Sequence, residues 1–90
     1  MNMFFTYVLI NLENNKTYVG QTIDLQKRLN QHNSVHANYT ESYTNKFTHN
    51  WRYAHVEASS SRSDAIKREK WLKSGVGREF IRELIELRPS

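Results

Sequence analysis

No cysteine occurs among the 90 residues. That absence excludes a disulfide framework, a zinc ribbon and a thiol nucleophile, and it suits a reducing compartment. Nor does any apolar run approach the ~20 residues needed to cross a bilayer. The longest, Met3 to Ile10, is interrupted by Thr6 and carries neither a basic leader nor a small-residue cleavage pattern, so no secretory signal is expected. Internal repeats and low-complexity segments are also lacking. The expectation is a soluble, cytoplasmic protein with no membrane partner.

What is there is enough for one globular unit. Hydrophobic residues make up 38% and aromatic residues 12%, too much for a disordered chain. A chain of this length buries only roughly 60 to 65% of its unfolded surface, so residues 1–90 are read as a single domain with one small core. Lys and Arg number 13 against 9 Asp and Glu, a net charge of +4, and the pI is about 9.6.

Phe4 to Ile10 is dense in aromatic and branched residues, ends in an Asn-rich stretch from Asn11 to Lys16, and is followed by a β-favouring run from Thr17 to Gln21. This reads as a hairpin. Thr22 or Asp24 caps a helix that begins near Asp24, carries Leu25 and Leu29 at i, i+4, and ends near His32 or Asn33. Ser34 to Asn50 is polar and aperiodic and is read as a long loop, the candidate for substrate contact. Trp51 to Ala58 alternates as a third strand, with Trp51, Tyr53 and His55 on one side and Arg52, Ala54 and Val56 on the other. Ser59 to Asp64 supplies cap chemistry for a helix over Ala65 to Ser74, which Gly75 and Gly77 are expected to break. In the last helix Phe80, Ile81, Leu84 and Ile85 form an apolar stripe while Arg82, Glu83 and Glu86 face water. The order β, β, α, loop, β, α, α implies an α+β domain, with helices flanking a three-stranded, mainly antiparallel sheet.

The charge is not spread evenly. Between residues 62 and 78, Arg62, Lys67, Arg68, Lys70, Lys73 and Arg78 outnumber Asp64 and Glu69 by four, equal to the excess of the whole chain. Beside Trp51, Tyr53 and Trp71, such a concentration is what a phosphate-rich partner needs, since cations neutralise phosphates and aromatic faces stack on bases. A merely solvated helix face has the same composition.

At 100° per residue, with Ala65 at 0°, Leu72 falls near −20°, Ile66 at 100° and Glu69 at 40°, in the middle of the apolar face. A carboxylate facing a core needs a partner. An ion pair with Arg28 or Lys73 is one solution. A hard cation is the other, because Mg²⁺ is often held by one or two carboxylates with water and substrate phosphates supplying the rest. On the preceding helix, Asp24, Arg28 and His32 are spaced i, i+4, i+8 along one side. Asp24 can cap and pair with Arg28, or Arg28 and His32 can face a common cleft and stabilise a phosphate. His32 and His36 have the spacing of a zinc pair but lack an obvious third ligand. Tyr7 and Tyr18 sit in facing strands.

The ordered set of Tyr7, Tyr18-Val19-Gly20, Asp24-Leu25, Arg28-Leu29, His32, Ser63, Ala65, Arg68-Glu69 and Leu72-Lys73 resembles the GIY-YIG nuclease domain. It looks most like small stand-alone members related to the N-terminal nuclease domain of the excision-repair protein UvrC. The resemblance runs over roughly residues 3 to 85. Its first motif departs, being Phe5-Thr6-Tyr7, while the second is intact. The resemblance implies a metal-dependent DNA endonuclease, with a place in DNA repair, that leaves 5′-phosphate and 3′-hydroxyl ends. It implies that Tyr7 and Tyr18 line the cleft, with Tyr18 the general base or its relay. It implies that Arg28 stabilises the scissile phosphate, that His32 assists in positioning or proton transfer, and that Glu69 is the single protein ligand of Mg²⁺ or Mn²⁺. Gly20 would allow a close backbone approach. Weak, salt-sensitive DNA binding would fall to Arg62, Lys67, Lys70, Lys73 and Arg78, with a homodimer or protein partner as the source of any tight binding. The rival readings are a catalytically weak or inactive nucleic-acid binder of the same fold and a small protein-interaction domain.

Overall fold

In the computed structural model, residues 3–33 and 50–86 are described. The elements run β1 (Phe4–Asn11), β2 (Thr17–Thr22), α1 (Leu25–Asn33), β3 (Trp51–Ser59), α2 (Arg62–Lys73) and α3 (Gly75–Glu86). The sheet order is β2-β1-β3, with both pairings antiparallel. Fold class and element order therefore match the sequence reading. The long polar segment expected to contact substrate lies outside the described residues, except for Asn50.

β1 is the middle strand, and Thr6 through Asn11 are all buried. Burial on both faces is why it reads as a continuous apolar run rather than an alternation. On one face Tyr7 and Leu9 join Trp51, with Tyr18, Leu25, Leu29 and Tyr53 packed around them against α1. On the other, Val8 and Val19 meet Leu72 of α2 and Ile81 of α3, flanked by Ala54, Trp71, Phe80 and Ile85. The result is three layers: α1, the sheet, then α2 with α3.

Short polar side chains fix the connections. In the hairpin turn Asn15 adopts a left-handed backbone (φ 60°), a conformation Asn tolerates, and the Asn14 side chain accepts from Lys16 N at 3.0 Å. Asp24 caps α1, its Oδ1 accepting from Lys27 N at 3.0 Å. Ser61 does the same for α2, accepting from Asp64 N at 3.1 Å. Thr6 is fully buried and donates its hydroxyl to Ala65 O at 3.0 Å, tying α2 to the middle strand. At the end of α1 the Asn33 amide accepts from Trp51 N (2.8 Å) and donates to Trp51 O (3.1 Å), so it pairs with the start of β3 as a strand would.

Two expectations are corrected. The simple alternation of β3 fails because its register slips between Val8 and Leu9: Val8 faces His55 while Leu9 faces Tyr53. Ala54 is the extra residue of a bulge, so two successive residues stay on one face. Trp51 and Tyr53 pack on the α1 side, whereas Ala54 and His55 turn toward α2 and α3, His55 lying edge-on to Phe80. The second correction concerns Gly75 and Gly77, which do not break a helix but begin α3. The break is at Ser74, an extended residue that ends α2 and accepts from Gly77 N at 3.3 Å to start α3.

Gly77 is needed there for space. A Cβ on it would lie 2.1 Å from Trp71 O and 2.4 Å from Leu72 Cα, both backbone atoms that cannot swing aside, while one on Gly75 meets nothing within 4 Å. Gly77→Ala is expected to destabilise the fold by about 2 to 3 kcal/mol, the usual cost of overpacking, whereas Gly75→Ala stays within about 0.5 kcal/mol of the parent. Urea denaturation of the two variants checks the contrast; equal midpoints would contradict it.

Candidate active site

The α1-facing side of the hairpin holds both tyrosines. Tyr7 pairs across the strands with Gly20, and its ring lies over that residue: a Cβ there would come within 2.6 Å of the phenol oxygen. The close approach expected of Gly20 is therefore that of the Tyr7 side chain. Tyr18 stacks beside Tyr7 with ring centroids 6.3 Å apart, and His32 reaches both, at 4.9 Å from the Tyr18 ring and 6.1 Å from the Tyr7 ring. The Tyr7 hydroxyl and His32 Nε2 share a hydrogen bond of 3.2 Å.

Burial governs the protonation of this cluster. It pushes the Tyr7 phenol well above the ordinary tyrosine range; Tyr18 and Glu69 push in the same direction and Arg28 opposes them. Burial also lowers His32 to about 4, with the Arg28 charge adding to the effect. Near neutral pH the pair is thus a neutral phenol and a neutral imidazole, and Nε2 accepts the Tyr7 proton when the ring carries its own on Nδ1. Tyr53, raised to about 12 mainly by burial, donates to Leu25 O at 2.6 Å and stands edge-on to Tyr7.

Glu69 occupies a different position from the one its helical angle suggested. Its side chain is 21% exposed, and Lys73 sits 3.0 Å from its Oε2. The buried face of α2 is centred on Ala65 and Leu72 and extends toward Trp71, which stacks under Arg68 and packs on Phe80. Glu69 lies on the other border of that face. Its charge reaches the Tyr7 phenol, as does that of Arg28, so the two tyrosines, Arg28, His32 and Glu69 share one electrostatic neighbourhood although they come from four elements.

The aromatic platform expected beside the basic helix is not present. Trp51 is fully buried, Tyr53 is engaged with α1, and Trp71 is covered by Arg68, whose Nε also donates to Glu57 at 2.7 Å. Arg62, Lys67, Lys70, Lys73 and Arg78 are all exposed. Among the described residues no group of three or more His, Cys, Asp or Glu could hold a metal ion, and His36 of the suggested zinc pair lies outside them. Glu69 fits a different type of site. A single, partly exposed carboxylate within electrostatic reach of the Tyr7 phenol is a hard-oxygen donor suited to a hard cation whose remaining ligands are waters and phosphate oxygens.

A family model described as the GIY-YIG catalytic domain matches residues 3–79. The chain belongs to the GIY-YIG family. Its three-stranded antiparallel sheet and three helices are consistent with the GIY-YIG fold, and the matched span includes both tyrosines, Arg28, His32 and Glu69. GIY-YIG is a nuclease family, and membership implies DNA as substrate. No curated protein and no solved structure matches the chain. No helix among the described residues is long and apolar enough to cross a membrane.

Tyr53 and Asn33 were not picked out as supports of this site. A tyrosine in a strand has no sequence signature for its hydrogen-bond partner, and the Asn33 bridge joins residues 18 apart in sequence.

Two outcomes are expected. Between pH 6.5 and about 4 the unfolded chain binds a proton that folded His32 refuses. The stabilisation is therefore complete above pH 6.5 and is lost as pH falls toward the folded value, amounting to about 2 kcal/mol between pH 6.5 and pH 5. Urea midpoints measured across that window should fall for the parent and stay flatter for His32→Gln. Separately, Gly20→Ala should displace the phenol and cost roughly 1 to 3 kcal/mol; an unchanged midpoint and an unchanged Tyr7 environment by NMR would refute the steric role.

Proposed function

We propose that the chain is a metal-dependent endonuclease that hydrolyses phosphodiester bonds in DNA by direct attack of water. The observation that carries this reading is the shared electrostatic neighbourhood of Tyr7, Tyr18, Arg28, His32 and Glu69. A phosphodiester repels a nucleophile, so its hydrolysis needs positive charge at the phosphoryl oxygens and a group that takes the water's proton.

Arg28 supplies the guanidinium that stabilises the charge building on those oxygens. Tyr18 acts as a proton relay: its oxygen takes the proton of the attacking water as it passes its own phenolic proton to a second water. Tyr7 stays protonated and acts as a support, its hydroxyl held by neutral His32, which sets the ring against Tyr18. As the water oxygen bonds to phosphorus, the bond to the 3′ oxygen breaks and that oxygen takes a proton from a solvent water, leaving 5′-phosphate and 3′-hydroxyl ends. Glu69 would hold Mg²⁺ or Mn²⁺, which supplies Lewis-acid stabilisation of the phosphoryl group. Lys73 is no obstacle: its side chain is 55% exposed, and an i,i+4 ion pair of this kind contributes only about 0.3 to 0.5 kcal/mol, so the Glu69 carboxylate is released at little cost.

Cutting of plasmid and single-stranded DNA in Mg²⁺ or Mn²⁺ is the direct test. Glu69→Ala and Arg28→Ala should each lower the rate by about 10² or more while leaving the fold intact by circular dichroism. Unimpaired DNA binding with no cutting in either metal would replace this reading with that of an inactive binder.

A further inference from the structure

We infer that the groove between α2 and the outer edge of β2 is a two-ended phosphate track, in which Arg62 and Arg78 grip one DNA strand at opposite ends of β2, with Tyr18 beside the Arg78 end. The identity of the bond cut between them rests on the nuclease reading; the track itself is argued from cavities, charge and helix geometry.

β2 and α2 run in opposite directions past each other. At one end a cavity of about 210 Å³ is lined by Gln21 and Thr22 from the end of β2, by Arg28, and by Arg62 from the start of α2. At the other end a cavity of about 270 Å³ is lined by Thr17 and Tyr18 from the start of β2, by Lys73 from the end of α2, and by Arg78. Each cavity joins cationic side chains to a hydroxyl-bearing strand residue, the composition of a phosphate pocket. Tyr18 lines the second cavity itself, and Gly20 separates the two along β2.

The helix sets the spacing. Arg62, Glu69 and Lys73 follow one line along α2, Glu69 and Lys73 each within about 20° of Arg62 at 100° per residue. At 1.5 Å per residue, Arg62 is about 10 Å from Glu69 along the axis and Lys73 about 6 Å beyond it. The span of about 16 Å equals roughly two to three phosphate-to-phosphate steps of an extended single strand, each about 6 to 7 Å and so longer than the 3.4 Å axial rise of a stacked duplex. A small anion cannot occupy both pockets at once; a polyanion can. Lys67 and Lys70 lie about 140° and 80° from Arg62, on the side of α2 opposite Ala65 and Leu72, and they point away from the sheet. Their charge raises the local potential without touching the track, so the basic excess of the sequence divides into a gripping pair and a solvated pair.

The test is binding of 5′-fluorescein-labelled oligothymidylates of 2 to 12 nucleotides, followed by anisotropy at low salt with EDTA, so that no cutting intervenes. Affinity should climb steeply to about four nucleotides and only slowly beyond. On the twelve-nucleotide strand, Arg62→Ala and Arg78→Ala should each weaken binding about five- to tenfold and lower the log–log salt slope by about 0.7, while Lys67→Ala and Lys70→Ala weaken it less than about twofold. Equal losses at all four positions, losses confined to Lys67 and Lys70, or affinity that rises uniformly with length would each overturn the track. The same strands incubated with Mg²⁺ or Mn²⁺ separate the two ideas: the binding pattern without cutting supports the track and removes the nuclease reading, whereas cutting without the pattern removes the track alone.

Discussion

A phenol buried on the middle strand of a sheet has to be hydrogen-bonded, because an unsatisfied buried hydroxyl costs about 1 to 3 kcal/mol. Tyr7 is in that situation, and its partner is His32. The requirement fixes more than one bond. It holds α1 at the height along β1 where His32 meets Tyr7, which brings Arg28, one turn earlier, within electrostatic reach of the same phenol. It also demands that residue 20 carry no Cβ, since the ring needs that volume. Thr6, the neighbouring polar residue on β1, performs the matching task on the opposite face by donating to Ala65 O and so locating α2. The two helices that carry Arg28 and Glu69 are therefore positioned by adjacent residues of one strand.

The division of labour between the faces follows from the bulge at Ala54. Without it, His55 would share a face with Trp51 and Tyr53, and the α1 layer would have to accommodate a third large ring. With it, His55 joins Glu57, Arg68, Trp71 and Phe80 on the far side, where ion pairs and ring contacts close the core beneath α2 and α3. Burial pushes Glu57 up, but its hydrogen bonds from Arg68 and His55 outweigh that and hold its carboxyl below the usual range. Arg68 is thereby committed to structure. Of the cations on α2, Arg62 and Lys73 line cavities shared with β2.

Much of this was legible in the residues. The hairpin, the capped helices and the third strand followed from β-favouring runs and from short polar residues placed where helix ends need acceptors. Tyr7, Tyr18-Val19-Gly20, Arg28, His32 and Glu69 could be named as a set through family resemblance. Their burial and partners could not. Glu69 looked central to an apolar face because the helical wheel places Ala65 and Leu72 on one side of it and Ile66 on the other, but the wheel does not say on which flank the neighbouring elements close. Trp51 and Trp71 looked like stacking surfaces because composition cannot separate an aromatic that meets a base from one that meets a core.

By itself the sequence determined the elements, their order, the family and the local charge excess, since each depends on near neighbours or on an ordered motif. Only the tertiary structure decided which polar groups meet: Tyr7 with His32, Glu69 with Lys73, Asn33 with Trp51, and Gly77 against the backbone of α2. The physical reason is that burial, and with it every shift in proton affinity, is set by atoms from other elements, and a one-residue bulge or a half-turn of helix is enough to exchange them.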